Sequence, residues 1–266
     1  LATLKPSLII NADALQVYKC WRILSARPNE QDMHEFNHAL YGHIDCDKNY
    51  NVAIWLEELK AQLMYAQARG LQSILVGGTG LYFTLLTEGL SEIPRISTST
   101  REKSNEFRDK NPQRLLSDLM KMDFQTFSTI DQSNLSRVQR AWEVLHETGK
   151  GMTFWQKNIL PPILPISEVI PLVLKCEKST LNENIQNRFK KMVKFGVIDE
   201  VEDAFKKVKG PVKIKTAFKA IGAKEIKDYI DKNINFDVLE QSIVFKTRQY
   251  AKRQRTWFRN KFSSWI

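Results

Sequence analysis

Several groups of residues have types and spacings suited to chemistry. Asp13 closes a short apolar run, Ser7-Leu8-Ile9-Ile10-Asn11-Ala12. Such a run reads as a buried parallel strand, and ligands of open α/β sheets bind beyond the carboxyl ends of strands. A carboxylate there either accepts a proton from a ligand or caps its own loop. Gly77-Gly78-Thr79-Gly80 follows a second such run, Gln72–Val76. Its glycines admit backbone N–H groups close to an anion, and its threonine hydroxyl can donate a hydrogen bond. The same string also suits a plain turn. It is not a phosphate loop of the form GxxxxGK[ST], which is absent from the chain. Asn134, Arg137 and Arg140 recur at i, i+3, i+6, with Glu143 continuing the row. They suit either a phosphate or an Arg–Glu pair on a solvated face.

The strongest electrostatic pattern is near the C-terminus. Between Lys246 and Lys261 stand Arg248, Lys252, Arg253, Arg255 and Arg259, with no acid. On a helix Arg248, Lys252, Arg255 and Arg259 fall within an arc of roughly 60°. Such a stripe tracks a polyanion. Tyr250, Trp257 and Phe258 interleave with it, either to stack on bases or to pack inward. Arg253 and Asn260 interrupt the apolar side, which disfavours a membrane-surface helix. His34, His38 and His43 lie near Asp45 and Asp47, but the stretch reads as loop and no metal site is expected there.

These groups need elements to position them. The 266 residues are 42% hydrophobic and 26% charged, a globular composition that excludes collagen, low-complexity and disordered classes. No apolar run approaches the ~20 residues of a membrane span, and no signal-peptide pattern opens the chain. The net charge of +10 favours an anionic partner. Cys20, Cys46 and Cys176 are odd in number and lack ligand spacing, which argues against a disulfide framework and for a reducing compartment.

Asn51 caps a predicted helix to Arg69, stopped by Gly70, between strands at residues 7–13 and 72–76. Strand, crossover, helix, strand predicts an α/β parallel sheet. Lys19 to Tyr50 reads mostly as loop. Thr98–Lys150 is helical and strand-poor, and after the connector Leu160–Pro165 the run Val169–Leu174 predicts a returning strand. Helices are expected at Thr180–Phe195, Ile198–Val208, Thr216–Ile230 and Asp237–Phe262. The division is therefore an α/β core with a helical C-terminal part, residues 1–94 and 166–266, and an all-helical insertion, residues 95–165.

In order along the chain, several strings resemble the bacterial tRNA dimethylallyltransferases, also called tRNA isopentenyl transferases. They are Ile10–Tyr18, His38–Asp45, Val76–Tyr82 with Gly89-Leu90 and Pro94, Arg137–Val144 with Thr148-Gly149-Lys150, Lys219–Gly222, and Thr247–Trp257. The resemblance covers essentially the whole chain. It implies a P-loop-type, nucleotide- (ATP-) binding parallel core flanked by helices. It implies an enzyme that moves a dimethylallyl group from dimethylallyl diphosphate to N6 of adenine 37 in tRNA, beside the anticodon. The competing expectations are an adenylate isopentenyltransferase acting on a free nucleotide and a non-catalytic RNA-binding relative.

By the same resemblance Asp13 is the general base, Thr79 acts at the leaving diphosphate, and Arg101 is a basic catalytic position. Lys219 and Lys224, with Thr79, hold diphosphate. The tRNA contacts are Asp13, Ala14, Leu15 and Gln16; Arg137, Val138, Gln139, Arg140 and Ala141; and Arg248, Lys252, Arg253, Arg255, Trp257 and Arg259. Mg²⁺ accompanies the diphosphate and needs few protein ligands. The implied protein is a cytoplasmic monomer with no membrane partner. The family's Gly-rich motif would precede Ile10 by about two dozen residues, so a P-loop segment is absent here. An N-terminal extension of roughly 20–30 residues is the corresponding expectation. Ala14, Cys20, Leu24, Ser25 and Asn37 depart from the family pattern, and the loop Cys20–Pro28 is expected to differ in shape.

Overall fold

The computed structural model describes residues 1–212 and 215–265. Strand β1 (Ser7–Asn11) is the centre of a parallel sheet of order β2-β1-β3, with β2 at Asn37–Ala39 and β3 at Gln72–Val76. Leu8 pairs with Asn37 on one side and Ser73 on the other. A strand buried on both faces reads as a continuous apolar run, which is why β1 is legible. Helix α1 (Glu30–Glu35) precedes β2. Helix α2 (Val52–Ala68) makes the crossover to β3. It starts where Asn51 accepts N–H bonds from Ala53 and Ile54, and the chain turns at Gly70, φ +64°. It buries Trp55, Leu56 and Leu59 under the sheet.

After β3 the chain enters α3 (Gly80–Glu88), α4 (Thr98–Lys110), α5 (Pro112–Met122), α6 (Phe124–Thr129), α7 (Leu135–Thr148) and α8 (Met152–Trp155). It continues through α9 (Lys178–Lys194), α10 (Val197–Lys207), α11 (Ala223–Ile230) and α12 (Phe236–Lys261). Two compact units result: residues 1–84 with 166–266, and residues 85–165. The second unit has its own core of Leu115, Leu119, Val138, Ala141, Trp142 and Leu145. Trp142 Nε1 donates to Asp118 at 2.9 Å, which satisfies the one polar atom of that buried ring.

Two expectations are corrected. Val169–Leu174 forms no strand: Ile170 and Leu174 are exposed, and no described residue pairs with the segment. Apolar character favours a strand only where a ladder partner exists. Residues 19–50 are mostly loop, as expected, around the short α1 and β2. The Thr216–Ile230 helix is broken into a 3₁₀ turn, Thr216–Lys219, and α11, because Gly222 sits at φ +100° between them.

The cysteine reading is corrected as well. Cys20 and Cys46 form a disulfide, Cα–Cα 6.1 Å, and Cys176 is the exposed free thiol. The cause is a short parallel bridge between Tyr18 and Ile44, with Lys19 N–H donating to Ile44 and Ile44 N–H to Val17. Each cysteine lies two residues beyond its bridge partner, so both project to the same side. Lys19 and Asp45, each one residue before a cysteine, form an ion pair at 2.8 Å. Thiol titration of denatured, unreduced protein should therefore find one thiol, rising to three after reduction. Cys20→Ser should lower stability by about 2–4 kcal/mol under oxidising conditions and by much less in reductant. Three thiols in the oxidised protein would contradict the pairing.

Candidate active site

The site begins with a buried amide. Asn11, the last residue of β1, has no solvent exposure. Its Nδ2 donates to the carbonyls of Asp13 (2.9 Å) and Leu40 (3.0 Å), and its Oδ1 accepts from Asp13 N–H at 2.8 Å. Trp55 Nε1 donates to the Asn11 carbonyl at 2.8 Å, and that indole stacks on Tyr82 at 4.4 Å. Each polar atom of the Asn11 side chain is thus satisfied, and together they fix the turn that follows. Leu40 contributes its carbonyl from a left-handed backbone, φ +62°, a strained conformation for a branched side chain.

Asp13 both caps and faces outward. Its Oδ1 accepts from Leu15 N–H (2.8 Å) and Gln16 N–H (3.2 Å), so the capping role is real. Oδ2 accepts no hydrogen bond among the described residues. The charge of this carboxylate is felt by Tyr41, Tyr82, Tyr250 and Arg188, from four separate stretches of chain. Burial, and then the Asp13 charge, pushes Tyr41 up to about 12 and raises Tyr82 and Tyr250 above the ordinary phenol range. All three stay neutral at working pH. Arg188 on α9 keeps solvent contact; its surroundings lower its pKa and Asp13 pulls the other way. The carboxylate is therefore bordered by neutral phenols and one cation.

The Gly77–Gly80 loop is fixed from both sides. Thr79 Oγ1 accepts from Ala14 N–H at 3.1 Å, and Tyr250 of α12 is its hydrogen-bond neighbour. Gln254 Nε2 donates to the Gly78 carbonyl at 2.9 Å. A Cβ at Gly77 would overlap the Ala12 carbonyl, and one at Gly80 would overlap the Trp257 indole. These two glycines are required by close packing, a reason the sequence pattern alone did not supply. The approach of anion to backbone that the pattern also suggests is compatible with this packing.

The loop at residues 20–28 is held by distant residues. Glu200 of α10 accepts three backbone N–H bonds, from Arg22, Ile23 and Leu24, each 2.8 Å. Trp21 Nε1 donates to Ala217 at 2.8 Å, and Gln16 Nε2 donates to Ser25 at 3.0 Å.

Other expected residues fall in three places. Lys219 and Lys224 are exposed, and no ion pair ties either to Asp13 or to any described acid. Ala14, Leu15 and Gln16 are half-buried beside Asp13. Arg101 and residues 137–141 belong to the helical unit. There Val138 and Ala141 are wholly buried, so their side chains meet core and not RNA, a correction forced by the amphipathic register of α7. Gln139 donates to Asn105 and Ser104 at 2.9 Å. Arg137 is exposed, and Arg140 lies near Arg101, whose charge and the burial of Arg140 both lower the latter's pKa. Arg140 pairs with Glu143 at 3.7 Å.

On α12 the basic row and the aromatic row part company. Tyr250, Gln254 and Trp257 face the glycine loop, and Trp257 Nε1 donates to Thr84 at 3.4 Å. Phe258 packs on Phe83 and Phe262. Arg248, Lys252, Arg255 and Arg259 are exposed and lie roughly opposite the Tyr250–Trp257 row. Arg253 lies over the Tyr250 ring at 5.8 Å. Of the histidines, His43 meets Glu58 at 2.8 Å and His38 meets the Phe36 carbonyl at 2.8 Å.

A family model described as IPP transferase matches residues 16–261. A tRNA dimethylallyltransferase of Cereibacter sphaeroides, strain KD131, is 41% identical over 259 residues, 97% of this chain and 79% of its own. One from Dinoroseobacter shibae is 41% identical over 97% of this chain and 84% of its own. Among solved structures, the full-length tRNA isopentenylpyrophosphate transferase of Bacillus halodurans is similar, with TM-score 0.65, 29% identity, 98% of this chain and 80% of its own. A eukaryotic dimethylallyltransferase acting on tRNA shares the fold at TM-score 0.75, with 24% identity, 97% of this chain and 64% of its own.

Proposed function

We propose the reaction from the premise that this chain belongs to the IPP transferase family: it moves a dimethylallyl group from dimethylallyl diphosphate to N6 of adenine 37 in tRNA. The observation that carries the reading is the open Oδ2 of Asp13 beside the fixed hydroxyl of Thr79, at the carboxyl end of β1.

An exocyclic adenine amine is a poor nucleophile, so it benefits from a proton acceptor in reach. Asp13 Oδ2 accepts an N6 hydrogen while Oδ1 stays bonded to its own loop, so the base is held without losing its lone pair to the protein. The N6 nitrogen bonds to the primary carbon of the dimethylallyl group. The bond from that carbon to the diphosphate oxygen breaks, the diphosphate leaves with the electron pair, and Asp13 takes the amine proton. Thr79 is held by Ala14 N–H and by Tyr250, and on substrate binding its hydroxyl turns its proton to the departing oxygen, where negative charge grows. Arg188, which feels the Asp13 charge, is a further cation near the base. Arg101, Lys219 and Lys224 are the further cations proposed for diphosphate. The base must leave its stack to reach Asp13, as base-modifying enzymes require.

Mg²⁺ fits this donor set. Asp13 and Thr79 would lie nearest to it, and an ion that keeps its waters and takes diphosphate oxygens needs no more. When bound it supplies charge to the leaving group. No group of three or more His, Cys, Asp or Glu among the described residues is placed to hold a metal.

The reading is of a cytoplasmic monomer, supported for the compartment by a tRNA substrate; there the thiol pool would keep Cys20 and Cys46 largely reduced. No helix among the described residues is long and apolar enough to cross a membrane. The test supplies labelled dimethylallyl diphosphate with Mg²⁺ and either tRNA or AMP. Label should enter tRNA and not AMP. Transfer to AMP alone would assign the chain to free-nucleotide chemistry, and transfer to neither would sink the enzymatic reading.

A further inference from the structure

The aromatic residues that interleave with the basic stripe of α12 are spent inside the protein. Tyr250 is at Thr79, Trp257 at Gly80 and Thr84, and Phe258 at Phe83. Next to the stripe, one aromatic remains outside and without a ring partner among the described residues. Phe245 is 60% exposed and makes no ring contact among the described residues. It stands three residues before Arg248, so the spacing 245, 248, 252, 255, 259 is 3-4-3-4. On a helix these five side chains fall within an arc of roughly 80° and extend about 21 Å along the axis.

We propose that Phe245, Arg248, Lys252, Arg255 and Arg259 form one RNA-binding seam, in which the cations follow the phosphate backbone and Phe245 stacks on an unpaired base at its end. This rests on the tRNA reading above and adds a contact that the acceptor site does not need. The seam lies on the side of α12 opposite Tyr250, Gln254 and Trp257, so it grips RNA away from the adenine at Asp13. The occupant follows from charge. No acid stands between Lys246 and Lys261, and none of the four seam cations has an ion-pair partner among the described residues. A lone exposed Phe is unremarkable. A Phe in register with four free cations matches the stacking platform beside a basic groove that single-stranded nucleic acid uses.

The experiment measures equilibrium binding of unmodified tRNA to the full chain over a range of salt, with no turnover required. Phe245→Ala should weaken binding about 5- to 150-fold with the salt slope unchanged. Phe245→Trp should bind like the parent, and Phe245→Leu should behave like the alanine variant, because stacking needs a π-face and not bulk. Arg255→Gln with Arg259→Gln should instead lower the slope by roughly 1–2. In turnover assays Phe245→Ala should raise KM for tRNA and leave kcat unchanged. Wild-type affinity for Phe245→Ala, or full rescue by Leu, would overturn the stacking role. Loss of self-association in Phe245→Ala with RNA affinity intact would make the seam a contact between copies and overturn it too. Failure of the parent to transfer label to tRNA would count against the enzymatic reading alone, since the binding arms are read without it.

Discussion

Asp13→Asn should cut prenyl transfer by about 10²–10⁴-fold while tRNA binding stays within a few-fold. The asparagine is chosen because Asp13 has two jobs in two oxygens. Oδ1 accepts from Leu15 and Gln16 and holds the turn, whereas Oδ2 is open toward the substrate. Asparagine keeps an acceptor for the turn and removes the group that takes the amine proton. Asp13→Ala removes both, so it should show the same catalytic loss and a lower melting temperature. Single-turnover transfer with saturating substrates separates the two roles. Asparagine at parental rate with an inactive alanine variant would make Asp13 a loop cap and nothing more.

Gly77→Ala should be nearly as damaging although it adds only a methyl group. The new Cβ would overlap the Ala12 carbonyl, which is backbone and cannot rotate away. Ala12 N–H also donates to Val76 at 2.8 Å, so the methyl pushes apart the two chains that present Asp13 and Thr79. Overpacking of this kind costs about 1–3 kcal/mol. A misplacement on the order of 1 Å between reacting groups can lower turnover about 10²-fold. Gly70→Ala is the control. Its Cβ meets nothing within 4 Å, but φ is +64°, so it should cost about 1 kcal/mol with turnover unchanged. Equal activity losses in the two variants would place the effect of Gly77→Ala in global stability and not in site geometry.

What could be read from the residues was what is local. A continuous apolar run, an Asn51 cap and Gly70 fix α2 and β3 to within a residue and β1 to within two, and Asp13 and Thr79 stand out as candidates because strand ends are where ligands bind. β2 is three half-polar residues with no pattern of its own; the free edge of β1 makes it a strand. α1 buries nothing, so only its Asn29–Asp32 capping box announced it. The Cys20–Cys46 pairing and the ring of Tyr41, Tyr82, Arg188 and Tyr250 around Asp13 depend on which distant segments meet. No single-chain periodicity encodes that. The error at Val169–Leu174 has the same root, because strand character is a property of a pair.

That ring also sets an order in time. Asp13, Tyr41 and Tyr82 leave the ribosome early, whereas Tyr250 and Gln254, which fix the glycine loop, come about 170 residues later, on the order of ten to thirty seconds at ordinary elongation rates. Glu200, which gathers the N–H groups of residues 22–24, arrives between them. A nascent chain thus carries Asp13 and the glycine loop well before the helix whose Tyr250 and Gln254 fasten that loop, so the loop is held from one side only until α12 has folded back.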